Sequence, residues 1–93
     1  MDALRIEATD ETPKVVLDKD NNELIFSGKS LPEDALEFYL PILEWLEKYR
    51  NEPNEKTIFE LKVHYFNTAS SKLILTIFER LNDIYKDGNH VEV

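Results

Sequence analysis

The stretch from Thr57 to Phe66 constrains the fold more than any other part of this chain. Phe59, Leu61, Val63 and Tyr65 alternate with Glu60, Lys62 and His64, the period-two pattern of a strand with one packed face and one wet face. A doubly wound sheet is buried on both sides, and its strands read as continuous apolar runs. The alternation excludes that architecture and calls for helices on a single face of the sheet.

The flanking segments supply the remaining elements. A short strand is expected around Leu4 to Ala8. Val15-Val16-Leu17 and Glu23 to Ser27 read as a hairpin across the turn formers Asp18 to Asn22, closed by Gly28. Ser30 and Pro32 open a helix with Glu33 and Asp34 in its first turn, where acidic groups suit the helix end. This helix carries two apolar faces: Leu36, Tyr39, Leu40, Leu43 and Leu46 on one, Phe38, Ile42, Trp45 and Tyr49 on the other. That exceeds a single contact stripe. Pro41 lies inside the run and should kink or restart it. A second helix is expected from about Ser70 to Lys86, buried along Leu73, Ile74, Ile77, Phe78, Leu81, Ile84 and Tyr85. Asp87-Gly88-Asn89 stops it, and His90 to Val93 begins a last strand. The order β-β-β-α-β-α-β defines an α+β fold, a two-layer sandwich of a mixed sheet with helices on one face.

Composition narrows function more than fold. The 93 residues suffice for one domain. With no cysteine there are no disulfides, thiolate nucleophiles or zinc-finger spacings. A net charge of −8 argues against nucleic acid and against anionic membrane surfaces, both of which are bound through Lys and Arg. No apolar run is long enough for membrane insertion and the N-terminus has no signal-peptide pattern, so a cytoplasmic location is expected. Gly28 and Gly88 are the only glycines, too few for a phosphate-binding Gly-rich loop. Asp18, Asp20 and Asn22 imitate the start of a calcium loop, but Glu23 stands where the invariant glycine belongs and Lys29 where the bidentate glutamate belongs. His64 and His90 are the only imidazoles and read as exposed strand residues. Neither a metal nor a cofactor is expected, and no catalytic group.

The segment Asn67-Thr68-Ala69-Ser70-Ser71 is the informative one. It lies where a strand ends and a helix begins, so the first helical N–H groups need acceptors and the terminus favours negative charge. Asn67, Thr68 or Ser70 can serve as the N-cap. A phosphate on the same segment would carry close to two negative charges and meet the same N–H groups.

Tyr65-Phe66-Asn67-Thr68-Ala69-Ser70-Ser71-Lys72 closely resembles the central motif of the SiaC-type bacterial regulatory phosphoproteins. Thr12-Pro13, Leu24-Ile25-Phe26-Ser27-Gly28-Lys29-Ser30, Pro32-Glu33, Phe38-Tyr39-Leu40-Pro41-Ile42 and Trp45-Leu46 resemble the family as well, including the awkward proline. The resemblance implies a STAS-like fold, akin to anti-sigma-factor antagonists, and a non-enzymatic switch in biofilm and cyclic-di-GMP control. It implies phosphorylation at Thr68 by a Ser/Thr protein kinase and reversal by a PP2C-like phosphatase. The unphosphorylated form would bind an effector such as a diguanylate cyclase. Family members continue into an acidic C-terminal segment, so residues 1–93 are expected to form a single domain without it. Asn67, Ala69, Ser70 and Ser71 are the expected surface of the switch, and Phe38, Ile42, Trp45 and Tyr49 the expected partner contact. Two other readings compete: an antagonist-like module controlling a transcription regulator, and, more remotely, a small hydrolase using Thr68 or Ser70 as nucleophile, for which no convincing base is evident.

Overall fold

Apolar side chains on one face of each long strand, not both, dictate the architecture. The computed structural model describes residues 1–93. The elements are β1 (Leu4–Ile6), β2 (Lys14–Asp18), β3 (Glu23–Ser30), α1 (Ala35–Asn51), β4 (Lys56–Phe66), α2 (Thr68–Lys86) and β5 (His90–Glu92). The five strands lie in sequence order in one sheet. β1, β2 and β3 pair antiparallel, whereas β3–β4 and β4–β5 pair parallel, with α1 and α2 as the crossovers. Val15, Leu17, Leu24, Phe26 and Phe59 meet Tyr39, Ile42, Leu46, Tyr49, Ile74, Ile77, Leu81 and Ile84 in one core. This is the mixed sheet with helices on one face that the alternation requires.

Local chemistry moves several boundaries from their sequence-based positions. β3 runs on through Gly28 to Ser30, because Gly28 takes a φ of 110° that a side chain would resist. Gly28 pairs with Val63 but Lys29 pairs with Tyr65, so His64 is an extra residue in β4, a β-bulge. The bulge turns Tyr65 to the wet side with Lys29, and Tyr65 is exposed instead of continuing the Phe59–Leu61–Val63 face. Ser30 therefore belongs to a strand and does not open α1. The helix starts after Asp34, whose carboxylate accepts from the Glu37 N–H at 3.0 Å. Pro41 does not restart α1, which is a single helix from Ala35 to Asn51. Pro41 sits on an exposed face, where water can replace the donor it lacks. α2 ends at Gly88, φ 102°, with Gly88 N–H donating to Tyr85 and Asn89 N–H to Ile84. Tyr85, expected in the buried stripe of α2, lies past its edge and is exposed.

The β2–β3 turn is set by Asp18, which is only 7% exposed. Its carboxylate accepts from the Asn21 side chain (2.8 Å), the Asn21 N–H (3.2 Å) and Arg5 (2.8 Å). These bonds, those from Asn21 first, hold its pKa below the ordinary 3.8. The folded state thus binds this proton less readily than the unfolded chain. The stability it contributes is complete above pH about 4 and lost as pH falls through the lower folded value. Asp18→Asn should shorten the acid limb of a stability–pH curve below pH about 4, measured by urea melts, while the native baseline stays unchanged.

Candidate functional site

β3 and β4 run parallel, so the two helices that follow them start at the same end of the sheet. At that end the polypeptide is tied together by hydroxyls and one amide. Asn67 is the N-cap of α2 and its side-chain oxygen accepts from Ser70 N–H at 2.8 Å. Its amide nitrogen donates to the Pro32 carbonyl at 3.2 Å, and its backbone N–H donates to the Ser30 carbonyl at 3.1 Å. Ser71 returns two bonds to the Asn67 carbonyl, from its N–H (3.0 Å) and its hydroxyl (3.2 Å). Of the three cap candidates, Asn67 alone takes the role.

Below this cap runs a buried chain of hydroxyls. Tyr39 OH and Ser30 Oγ are 2.6 Å apart, and Ser30 Oγ donates to Ser70 Oγ at 2.9 Å. All three residues are fully buried. Desolvation raises the Tyr39 pKa and outweighs the opposing bond to Ser30, so the phenol stays protonated and serves as a fixed donor. The chain joins β3, α1 and α2 through one oxygen of Ser30. Ser70, expected on the switch surface, is therefore an internal anchor, because its hydroxyl satisfies Ser30 in the core.

Thr68 stands in a different environment. It is the first residue of α2 and is exposed, as is Ala69. None of the hydrogen bonds at this junction engages its side chain. The cap takes the Ser70 N–H and leaves the N–H groups of Thr68 and Ala69, which have no intrahelical acceptor. No acidic residue occupies the first turn. Phe66, about half exposed, and Leu31, 38% exposed, lie alongside. Exposure, a free hydroxyl and a rigid seat give a side chain that a modifying enzyme can reach and whose new charge would have a fixed position.

The expected partner contact is corrected. Ile42, Trp45 and Tyr49 are at most 7% exposed and belong to the core. Phe38 is half-buried, edge-on to Tyr39 at 5.0 Å. Trp45 is tied to the chain's own N-terminal segment, its Nε1 donating to the Asp2 carbonyl at 2.9 Å, while Leu4 and Ile6 pack against the core. Tyr49 is further fixed by Thr57, at 2.7 Å. The apolar side chains of α1 that do reach water are Leu36 and Leu40, which sequence reasoning placed on the contact stripe. The Asp34-x-x-Glu37 spacing is the signal that would have placed the helix start correctly. Nothing in the sequence pattern pointed to the Tyr39–Ser30–Ser70 chain.

No group of three or more His, Asp or Glu converges as a metal site, and no helix is long and apolar enough to cross a membrane. His64 is exposed on the bulge.

Comparison with known proteins agrees with this geometry and gives it a class, that of a regulatory phosphoprotein. The chain belongs to the SiaC family of regulatory phosphoproteins, whose family model matches residues 6–93. It is 27% identical, over its full length, to an uncharacterised protein of Pseudomonas aeruginosa strain UCBPP-PA14, of which it covers 74%. The solved structure of SiaC of Pseudomonas aeruginosa superposes with a TM-score of 0.92 at 27% identity, over 98% of this chain and 75% of that one. The structure of the diguanylate cyclase SiaD in complex with its activator SiaC, from the same organism, gives a TM-score of 0.86 at 27% identity, over 95% of this chain and 72% of that one.

Ser70→Ala should destabilise the domain by about 1–3 kcal/mol, because it strips Ser30 of its buried acceptor. Thr68→Ala, at an exposed and unbonded position, should stay within about 0.5 kcal/mol of the parent. Chemical denaturation of both variants checks the contrast, and equal losses would show that Thr68 too is structural.

Proposed function

We propose that this chain is a phosphorylation-controlled binding module, with Thr68 as its switch. The observation that carries the reading is the division of labour at the start of α2. Asn67 caps the helix and Ser70 anchors it, while Thr68 between them is exposed and bound to nothing at the junction. Membership of a family of regulatory phosphoproteins supports it.

A Ser/Thr kinase attaches the phosphate and a PP2C-like phosphatase removes it. The modified residue carries close to two negative charges. Its oxygens lie within reach of the N–H groups of Thr68 and Ala69, which favour an anion there. The phosphate is then held at a surface otherwise lined by Phe66 and Ala69. An effector that covers this surface would have to desolvate a dianion, so the unphosphorylated form is the binding form. The similar SiaC of Pseudomonas aeruginosa is described as the activator of the diguanylate cyclase SiaD, which makes a cyclase the effector class to test first. The domain acts by binding and performs no catalysis of its own.

The test is a titration against the diguanylate cyclase of the source organism, before and after phosphorylation mapped by mass spectrometry. Wild type and Thr68→Ala should bind alike, and only wild type should accept phosphate. Phosphorylation or Thr68→Asp should weaken binding at least tenfold, about 1.4 kcal/mol. Equal affinity of the phosphorylated and unmodified forms would overturn the switch. Capture of an anti-sigma factor in place of a cyclase would move the module to transcriptional control with the same switch.

A further inference from the structure

The face of the sheet turned away from the helices sorts its charges by position along the strands. On β2, β3 and β4, the residues that alternate with the core side chains Val15, Phe26 and Phe59 point to this face. The registers of the two pairings place Lys14, Ser27 and Lys62 side by side in one row across three strands. Lys29 follows two residues after Ser27, beside Tyr65. Strands about 4.8 Å apart put Lys14 and Lys62 about 10 Å from each other, with Lys29 about 7 Å further along the sheet. All three lysines are exposed, and Tyr65 is 63% exposed. The half-buried Ser27 hydroxyl between them engages none of the side-chain hydrogen bonds at this end of the sheet.

These cations differ from the others in the folded elements. Arg5, Arg50, Lys56 and Arg80 are each bridged to a carboxylate of another segment. Lys14 and Lys29 form no ion pair, and Lys62 reaches only Glu60, two residues away on its own strand, at 3.4 Å. Such an exposed pair contributes little. Glu7, the residue after β1, makes no bridge to Lys14. Asp18, Glu23 and Glu92 also point to this face but sit at the opposite end of the strands. Like charges on neighbouring strands repel. A chain with nineteen acidic residues against eleven basic ones has carboxylates to spare for them, yet leaves this patch open. A carboxylate from outside can complete it.

We propose that Lys14, Lys29 and Lys62, set around Ser27, form a docking site for an acidic segment of a protein partner, on the sheet face opposite the helices. An extended segment carries every second side chain on one side, about 7 Å apart, so alternating Asp or Glu residues meet Lys29 and the Lys14–Ser27–Lys62 row in turn. The Ser27 hydroxyl can donate to the carboxylate that lies between the two outer lysines. The ring of Tyr65 closes the end of the patch as an amphipathic contact. Negative charge over the rest of the chain repels such a segment, which draws it to this one face. A nucleic acid would set its charge against the same net −8 along its whole length, which favours a short acidic peptide over a polynucleotide. The site goes beyond the switch and does not depend on modification of Thr68.

The probe is a capped peptide of about twelve residues that alternates glutamate with threonine. It is titrated into the isotopically labelled chain and followed by amide chemical shifts. Saturable shifts should centre on Lys14, Ser27, Lys29 and Lys62, and binding should weaken about fivefold or more between about 20 and about 200 mM salt. Lys14→Gln, Lys29→Gln and Lys62→Gln together should weaken it about tenfold or more, while circular dichroism and the melting temperature stay those of the parent. Neutralising Lys19, Lys48 and Lys86 instead changes the net charge equally and should leave binding within about twofold. A peptide with lysines in place of the glutamates should produce no shifts at the patch. Equal losses from the two triple variants would reduce the effect to overall charge and overturn the site. Shifts on another face, no shifts even at low salt, or undiminished binding by the first variant would do the same. Tighter binding of a single-stranded oligonucleotide than of the peptide would assign the patch to nucleic acid and remove the protein segment.

Discussion

The hydroxyl of Ser30 is the point on which the rest of the structure turns. It closes the last residue of β3, accepts from a tyrosine on α1 and donates to a serine on α2, all without water. A buried oxygen with fewer partners would cost more than any one of these bonds contributes, so the three elements are obliged to meet there. Asn67 repeats the pattern one layer out, joining the same strand end, the loop before α1 and the first turn of α2. The two helix starts are thereby held as one unit. The opposite end is fastened in the same manner, where Tyr49 meets Thr57 and Asn54 reaches back to the β2–β3 turn. α1 is thus pinned by a tyrosine near each end, with the Trp45 indole N–H bonded to the Asp2 carbonyl between them.

In the proposed switch, this arrangement would separate stability from signalling within five consecutive residues. Asn67 and Ser70 are committed to the interior, and their loss would be felt by the whole domain. Thr68 and Ala69 are exposed, and the junction's side-chain hydrogen bonds bypass them. A switch needs such neighbours: a residue that can change its chemistry without unfolding its support, and a support stiff enough for the change to matter.

Much of this was legible in the sequence, and what was not has identifiable causes. The alternation of Phe59, Leu61 and Val63 and the turn residues Asp18 to Asn22 yielded the sheet, the hairpin and the one-sided placement of the helices. The Asn67–Ser71 segment marked the junction of β4 and α2, and its resemblance to the SiaC motif singled out Thr68 as the proposed switch. The second apolar face of α1 is buried where exposure was expected, because periodicity reports apolar faces without saying what covers them. Only the fold shows that β1 and the residues before it lie over Trp45. Tyr65 was assigned to the wrong face because a two-residue rhythm cannot register one inserted residue. Ser30 looked like a helix opener because a serine before a proline usually is one, and its buried partners lie nine and forty residues away.

That inserted residue, His64, has a consequence of its own. A strand counts in twos, so one extra residue changes parity for everything downstream. Before the bulge, odd-numbered positions of β4 look toward the helices; after it, even-numbered positions do, with Phe66 paired to Ser30. Asn67 leaves the strand in the phase that lets it reach the carbonyls of Ser30 and Pro32 together. In the uninterrupted phase Ser30 would stand opposite Tyr65 instead of Phe66, and Asn67 would be shifted by one residue relative to it. The bulge is a phase shifter, and the register of the Asn67–Ser71 segment against β3 is inherited from it.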